Sequence, residues 1–452
     1  MTRKFRPFLA VALGLMMSMV GISAAAAATL NSDGVLVDDT GNAPIHAAIT
    51  KVLQMPVGTA IPSAQFVYQV TPISVDDDPA QTSVMPALGA AGNNTITINF
   101  GAGATAVTPV LASGDDAYFM ESGDLFANMS ATFFPHAGVY VYEIAETPNT
   151  NTSIDSDPNQ ELRYSQAKYT LNVYVANKAD GTGTYIYALG TVHNTTDNNT
   201  SAGDAKVDPT PGTANSSGKY SQLLFTNIYV HTNGPVDPTN PLTPPVDPGN
   251  PNNATLTVSE TVTGLLGDKT QYFEFSATIT PPALQDTAPT AYRAYVVDSA
   301  NAVVTSASNG TIAGSDAFGS YLAITPATPT TFNLMDGQRL VIVNAAVGSS
   351  FTITELASDH APSVVVTTND VVTTPATASA LVDHPLDTGS QNVGEPSNTV
   401  AFTNTRDIPI LTGLNLNNLP FIGLILLGAG SLIGYVVVKS RKTKARQEMA
   451  AI

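Results

Sequence analysis

Residues 139–146 read Val139-Tyr140-Val141-Tyr142-Glu143-Ile144-Ala145-Glu146, an aromatic and β-branched run that ends on an acid. Successive side chains of a strand face opposite sides, so a regular strand here points Glu143 and Glu146 to opposite faces. The same texture recurs on either side, in Gln65-Phe66-Val67-Tyr68-Gln69-Val70, Thr95-Ile96-Thr97-Ile98-Asn99-Phe100, Tyr169 to Val175, Tyr185 to Leu189 and Leu223 to Tyr229. Gly, Asn, Asp and Pro clusters separate these runs, and no window of comparable length has helical periodicity. That is the pattern of an antiparallel β-sandwich rather than of βαβ units.

Outward from this first strand-rich region the chain divides cleanly. Residues 29–48 form a polar leader and residues 49–231 the first β-domain. Over 232–253 the residues Pro235, Pro238, Pro241, Pro244, Pro245, Pro248 and Pro251 recur about every third position, which favours a stiff polyproline II spacer. A second strand-rich domain occupies 254–406. The two domains share landmarks in the same order. Each closes on an identical tripeptide, Phe225-Thr226-Asn227 and Phe402-Thr403-Asn404, and each has an earlier aromatic strand ending in an acid, at Glu146 and in Phe351-Thr352-Ile353-Thr354-Glu355. A duplication is expected.

The two ends of the chain carry targeting signals. Residues 1–28 combine a basic start (Arg3, Lys4, Arg6), an apolar stretch from Phe8 to Ile22 and small residues from Ala24 to Ala28, which is a secretory signal peptide. At the other end, 407–452, an uncharged apolar run from Leu419 to Val438 is followed by Lys439, Arg441, Lys442, Lys444 and Arg446. About twenty residues at 1.5 Å each give roughly 30 Å, the thickness of a hydrocarbon core. The positive-inside rule then leaves the basic tail in the cytoplasm and everything before Leu419 outside.

Composition narrows the function classes. Charged residues make up only 12% of the chain, about half of ordinary usage. With the eight basic residues of the two tails set aside, ten of the 18 Lys and Arg remain, against 35 of the 36 acids once Glu448 is left out. So acidic an exported part argues against nucleic acid or anionic lipid as partners. There is no Cys, so no disulfide can staple the domains, and any covalent reinforcement has to use other side chains. The six His are scattered without metal-ligand spacing, and no metal or cofactor is expected. Asp155-Ser156-Asp157-Pro158-Asn159-Gln160-Glu161 alternates oxygen ligands but lacks the turn Gly of a calcium loop and reads as solvated loop. Gly430 and Gly434 form an incidental GxxxG in the span. No nucleophile elbow, P-loop or dinucleotide fingerprint is present, so no enzyme acting on an external substrate is expected.

Lys, Glu and Asn on adjacent strands of one apolar core can react with one another. Burial lowers an amine's pKa until its neutral, nucleophilic form is accessible, and raises a carboxyl's so that it can carry a proton. The amine can then attack the amide, with the acid polarising it and passing protons, and ammonia leaves.

Here the sequence resembles a known family. Ile49-Thr50-Lys51-Val52, the strand ending at Glu146, and Leu224-Phe225-Thr226-Asn227 resemble the pilin isopeptide-linkage domain of streptococcal-type major pilins, Gram-positive sortase-assembled surface proteins. The resemblance implies an all-β architecture of two tandem immunoglobulin-like (Cna-B-type) sandwiches, and an autocatalytic isopeptide bond between Lys51 and Asn227 with Glu146 as the acid. It favours Glu146 over Glu143. The second domain resembles the companion domain of those pilins in Leu256-Thr257-Val258-Ser259, Val262-Thr263-Gly264 and Asp336-Gly337-Gln338-Arg339, leading to Glu355 and Asn404. It departs at the nucleophile: the family's Lys is replaced by Glu260, and the only other candidate, Lys269, sits in a polar turn. This degenerate site, Glu260, Glu355 and Asn404, is expected not to cross-link.

The tail Ile408-Pro409-Ile410-Leu411-Thr412-Gly413, with the span and basic cluster behind it, resembles the family's sorting signal. Its implied cleavage lies between Thr412 and Gly413, although Pro stands one position further from Gly than in familiar versions. The implied partners are a sortase, other pilin subunits in a covalent homopolymer, and peptidoglycan; a host or surface ligand is left open. The implied location is the cell wall. Lys219 is the implied acceptor for polymerisation, with Lys168, Lys178 and Lys206 as rivals. Two functional expectations result: a structural pilin subunit, or a non-polymerised wall-anchored or pilus-tip adhesin.

Overall fold

The computed structural model describes residues 29–30, 36–37, 47–89, 93–102, 104–107, 116–126, 134–157, 159–177, 181–210, 221–232, 256–373, 375, 379–395, 398–407 and 419–449. The signal peptide, most of the Pro-rich linker, Lys178, Lys219 and the sorting residues Thr412 and Gly413 lie outside them.

Strands β1 (Thr29–Leu30) and β2 (Leu36–Val37) form a two-residue ladder within the leader. The first domain follows with β3 (Ala48–Pro56), β4 (Ala64–Val75), β5 (Thr95–Phe100), β6 (Thr105–Val107), β7 (Asp116–Asp124), β8 (Gly138–Thr147), the single-turn α1 (Thr152–Asp155), β9 (Gln160–Arg163), β10 (Lys168–Asn177), β11 (Thr184–Thr195), β12 (Ser201–Val207) and β13 (Leu223–His231). They make two facing sheets, in the orders β12-β11-β10-β8-β4-β5 and β6-β7-β3-β13-β9.

Period-two alternation decides what enters the space between the sheets. Along β8 the buried positions are Tyr140, Tyr142, Ile144 and Glu146; along β13 they include Leu223, Phe225, Asn227 and Tyr229. The first strand, β3, is central in its sheet and sends Ile49, Lys51, Leu53 and Met55 to one side, where three of the four are members of the apolar core. The polar residues Lys51, Glu146 and Asn227 are therefore placed inside by strand parity, in positions whose neighbours along the strand are apolar.

The second domain is built from β14 (Leu256–Thr263), β15 (Phe273–Thr280), β16 (Tyr292–Val297), β17 (Ile312–Asp316), β18 (Gly319–Ile324), β19 (Thr330–Leu334), β20 (Arg339–Ile342), β21 (Ser350–Glu355), β22 (Ala361–Thr368), β23 (Val371–Thr373), β24 (Leu386–Asp387), β25 (Gln391–Asn392) and β26 (Thr399–Thr405). One sheet runs β17-β18-β16-β20-β14-β26-β22-β23 and the other β19-β15-β21-β24. Its core is again a mixed aromatic and aliphatic cluster with Phe275, Phe351, Phe402 and Val258 fully or almost fully buried.

The duplication is visible in the pairing. In each domain the first and last strands are parallel neighbours, β3 with β13 and β14 with β26, and the register matches: Lys51 lies opposite Phe225, and Glu260 opposite Phe402. The acids match too, Glu146 opposite Tyr68 and Glu355 opposite Phe275, with each of those rings against the closing-strand Phe at 4.8 and 5.2 Å between centroids. The domains touch directly. Val230, Leu284 and Ala346 form a small apolar cluster, Val347 N–H donates to the His231 carbonyl at 2.8 Å, and Glu395 accepts from Ala60 N–H at 2.9 Å.

The structure departs from the sequence reading at one segment. Residues Asp155 to Glu161 are not a plain loop: Asp155 ends α1 and Glu161 lies in β9. The carboxylates of Asp155 and Asp157 are occupied by hydrogen bonds from Tyr164 and from Asn159 and Gln160. Beyond the second domain, α2 (Leu419–Met449) is exposed from Leu424 to Arg446 and is long and apolar enough over Pro420–Arg446 to cross a bilayer.

Candidate functional site

Lys51, Glu146 and Asn227 meet between the two sheets of the first domain. Lys51 Nζ lies 3.0 and 3.1 Å from the two Glu146 carboxyl oxygens. Asn227 Nδ2 donates to the same Glu146 Oε1 at 2.9 Å, so the amine and the amide nitrogen both contact one oxygen. Lys51 and Asn227 are wholly buried, and no part of the Glu146 side chain reaches the surface. The Lys51 ammonium group also sits 4.1 Å above the Phe66 ring. On its other side the Asn227 amide is held by Ser165: the Ser165 N–H donates to Asn227 Oδ1 at 2.7 Å.

Burial drives both titratable partners toward their neutral forms. Desolvation lowers Lys51 from its ordinary value to about 8, and the Glu146 carboxylate opposes that fall. Glu146 is raised by burial, against the pull of Lys51, the Asn227 amide and the Ser165 N–H. A proton passed from Lys51 to Glu146 leaves an unprotonated amine beside a protonated acid, which is the state in which an amine is nucleophilic. Glu143, on the opposite face of β8, lies 3.5 Å from the half-exposed Lys168.

The second domain presents the same positions with different chemistry. Glu260 and Glu355 are 1% and 0% exposed, and Asn404 Nδ2 donates to both, at 3.0 Å to Glu260 and 2.6 Å to Glu355. Burial raises Glu260 to about 9 and Glu355 to about 7. Asn404 Oδ1 has no hydrogen-bond partner among the described residues. Its cross-strand neighbour on β22 is Pro362, which has no N–H to give. Lys269 stands 67% exposed in the turn between β14 and β15, in an ion pair with Asp336 at 2.9 Å, and makes no hydrogen bond to Glu260, Glu355 or Asn404. The Asp336–Arg339 segment flanks the site through its backbone: Glu260 N–H donates to the Gln338 carbonyl and Gly337 N–H to the Glu260 carbonyl, both at 3.0 Å. No group of side chains able to hold a metal occurs among the described residues.

Two residues at the first site escape sequence reasoning: Ser165, in the loop between β9 and β10, and Asp197, in the β11–β12 turn. Asp197 Oδ1 accepts from Ser165 Oγ–H at 2.5 Å and from Thr226 N–H at 2.9 Å. Neither residue belongs to a motif, and both reach the site through loops that only the fold brings together. Of the candidate acceptor amines, Lys168 is half-exposed on β10 and Lys206 is exposed on the outermost strand β12.

Comparison with known proteins adds the following. A domain family of unknown function, DUF7601, matches residues 254–406, the second sandwich. No curated protein matches the chain. Among solved structures it is similar to the major pilin of Streptococcus pyogenes, with 17% identity and a TM-score of 0.28 over 80% of this chain and 99% of that one. It is also similar to the T3.2 major pilin of S. pyogenes serotype GAS13637, with 16% identity and a TM-score of 0.28 over 80% and 98%. A pilus-presented adhesin, Cpa, matches with 11% identity and a TM-score of 0.22 over 80% and 100%. At these identities and scores the likeness carries no residue's role over to this chain.

Proposed function

We propose that this chain is a structural subunit of a sortase-assembled, wall-anchored pilus, and that its first domain is closed by an isopeptide bond between Lys51 and Asn227. One observation carries the bond: the amine of Lys51 and the amide of Asn227 share a buried oxygen of Glu146 between the first and last strands of one sandwich. Glu146 takes a proton from the Lys51 ammonium. The neutral amine adds to the Asn227 side-chain carbonyl carbon, and the proton returns through Glu146 to Nδ2. The new C–N bond forms, the C–Nδ2 bond breaks and ammonia leaves, while the second proton of the attacking nitrogen passes to Glu146 and departs with the ammonia as ammonium, leaving a neutral amide. The reaction acts once, on the chain itself, and does not turn over.

Assembly into a polymer is supported by the secretory start, by the Thr412-Gly413 tail and by α2 with its basic end. Cleavage after Thr412 and transfer of its carbonyl to a lysine of the next subunit leaves the shaft covalent from end to end. Intact-mass spectrometry of the purified chain tests the internal bond: one ammonia lost supports it, and two or none contradict it. Boiled surface extracts test the polymer: a ladder of very large species is expected, and a single band favours a non-polymerised adhesin instead.

A further inference from the structure

We propose that the backbone N–H of Ser165 holds the negative charge that develops on Asn227 Oδ1 during the condensation, and that Asp197 is the positioning residue that keeps it there. This rests on the reading of Lys51 and Asn227 as the condensing pair and names the groups that make their reaction fast.

The orientation of the Asn227 amide is fixed by chemistry. An N–H can donate only to the amide oxygen, so Oδ1 faces Ser165 and Nδ2 faces Glu146. Glu146 therefore stands beside the nitrogen that leaves, where its proton is needed, and does not polarise the carbonyl. As Lys51 adds, the electron pair of the C=O bond moves onto Oδ1, which already lies 2.7 Å from a donor in a water-excluded site. Collapse of the adduct returns that pair to the carbonyl and expels ammonia.

The donor is held from three directions. Asp197 Oδ1 accepts from Ser165 Oγ–H and from Thr226 N–H on the closing strand, while the Asp197 carbonyl accepts from Gln166 N–H at 3.0 Å. Ser165 Oγ in turn accepts from Ala167 N–H at 3.1 Å. The β11–β12 turn thus clips the β9–β10 loop onto the strand that carries Asn227. In the second domain Asn404 Oδ1 has no hydrogen-bond donor among the described residues, and the residue paired with Asn404 on β22 is Pro362, which has no N–H. Among the described residues, that site lacks both the nucleophile and the oxyanion donor, each independently of the other.

The test follows ammonia loss by intact mass against time, using full-length chain made by cell-free synthesis in detergent micelles. Asp197→Ala is expected to slow the loss by about tenfold or more, set against the 10²–10³ seen when an oxyanion donor is removed outright. Asp197→Asn is expected to stay within about threefold of wild type, because its side-chain oxygen accepts the same two bonds. Both variants remove the charge, so rescue by Asn separates the hydrogen bonds from the field. Equal rates for Asp197→Ala and wild type overturn the positioning role, whereas a wild type that loses no ammonia overturns the condensation itself. Glu260→Lys gives an arm that does not depend on Asp197 variants folding. The expected result is no second ammonia lost on the timescale of the first; loss at the first domain's rate shows that no carbonyl donor is required and overturns the proposal.

Discussion

The buried acid pair of the second domain is expected to make its stability fall as pH rises, the reverse of the usual behaviour of carboxylates in folded proteins. Glu260 and Glu355 share one neutral donor, Asn404 Nδ2, where the first domain has a cation in the position of Glu260. With no positive charge to compensate, burial holds Glu355 near 7 and Glu260 near 9. Both folded values lie above the ordinary carboxyl value, so the folded state binds more protons than the unfolded chain. The stabilisation is complete below about pH 4.5 and is lost as pH climbs through about 7 for Glu355 and about 9 for Glu260. Two protons are at stake below about pH 7 and one above it.

For Glu355 alone, a rise from 4.5 to about 7 corresponds to about 3 kcal/mol. A domain of this size shifts by roughly 2–4 °C per kcal/mol, so its melting temperature should drop by about 6–12 °C or more between about pH 5 and pH 8. Acids held low act in the opposite sense only below their ordinary range. They include Asp336, where the Val262 N–H and Lys269 outweigh burial, and Asp359, held by Gln271, His360 and Arg406. Stability of the second domain therefore peaks on the acid side of neutrality. Differential scanning calorimetry across pH measures this, with Glu355→Gln identifying the second-domain transition and reducing its slope below about pH 7 to that of the single remaining acid, Glu260. A second-domain transition that is flat or rises between about pH 5 and pH 7 would refute the assignment of Glu260 and Glu355 as neutral acids.

Two further outcomes follow from the first domain. Glu146→Gln should abolish ammonia loss, while Glu143→Gln, altering a residue on the outer face beside Lys168, should leave it unchanged; mass spectrometry of the two variants decides between the acids. Asn227→Ala should lower the stability of the first domain by about 5 kcal/mol, the chain-entropy value for releasing a loop of roughly 175 residues. Under force the same variant should add an unfolding event that the wild type lacks, and equal extension of the two proteins would count against the internal bond.

Much of this was legible in the sequence because it depends on parity. Tyr140, Tyr142 and Ile144 are core residues, so Glu146, two further on, is buried and Glu143 is not. The identical Phe-Thr-Asn closing tripeptides signal equivalent strands, and Glu260 occupies the register position of Lys51. What was not legible depends on loops. Strand β12, Ser201–Val207, is polar and lies at a sheet edge, so it has no apolar alternation to read. Asp197 sits in the stretch Asn194-Thr195-Thr196-Asp197-Asn198-Asn199-Thr200, where every residue suits a turn and nothing marks one carboxylate as reaching Ser165 and Thr226. The His231–Glu395 contact between domains, at 3.0 Å, is equally silent, since it joins residues 164 positions apart in the chain.

The pairing of the terminal strands explains how one domain can do without the bond that the other is proposed to contain. In the second domain β14 and β26 run parallel over seven residue pairs, from Thr257 with Thr399 to Thr263 with Thr405. Tension applied through the start of β14 and the end of β26 pulls these neighbours in opposite directions along their length. All of the ladder's hydrogen bonds between them are then sheared together, whereas pulling a hairpin apart at its open end breaks them one at a time. The first domain has the same parallel pair in β3 and β13, and the Lys51–Asn227 bond would lie across it. With that bond made, tension applied through the start of β3 and the end of β13 would cross through one amide and bypass the residues between 51 and 227. Tension entering through an acceptor lysine inside that loop would instead run along the chain from that lysine to β13. The second domain has only its sheared ladder and its packed core, because the position that would supply the amine holds Glu260. If tension passes through both pairs of terminal strands, the second domain is expected to yield first, and rising pH, by ionising Glu355, is expected to weaken it without touching the bond proposed for the first domain.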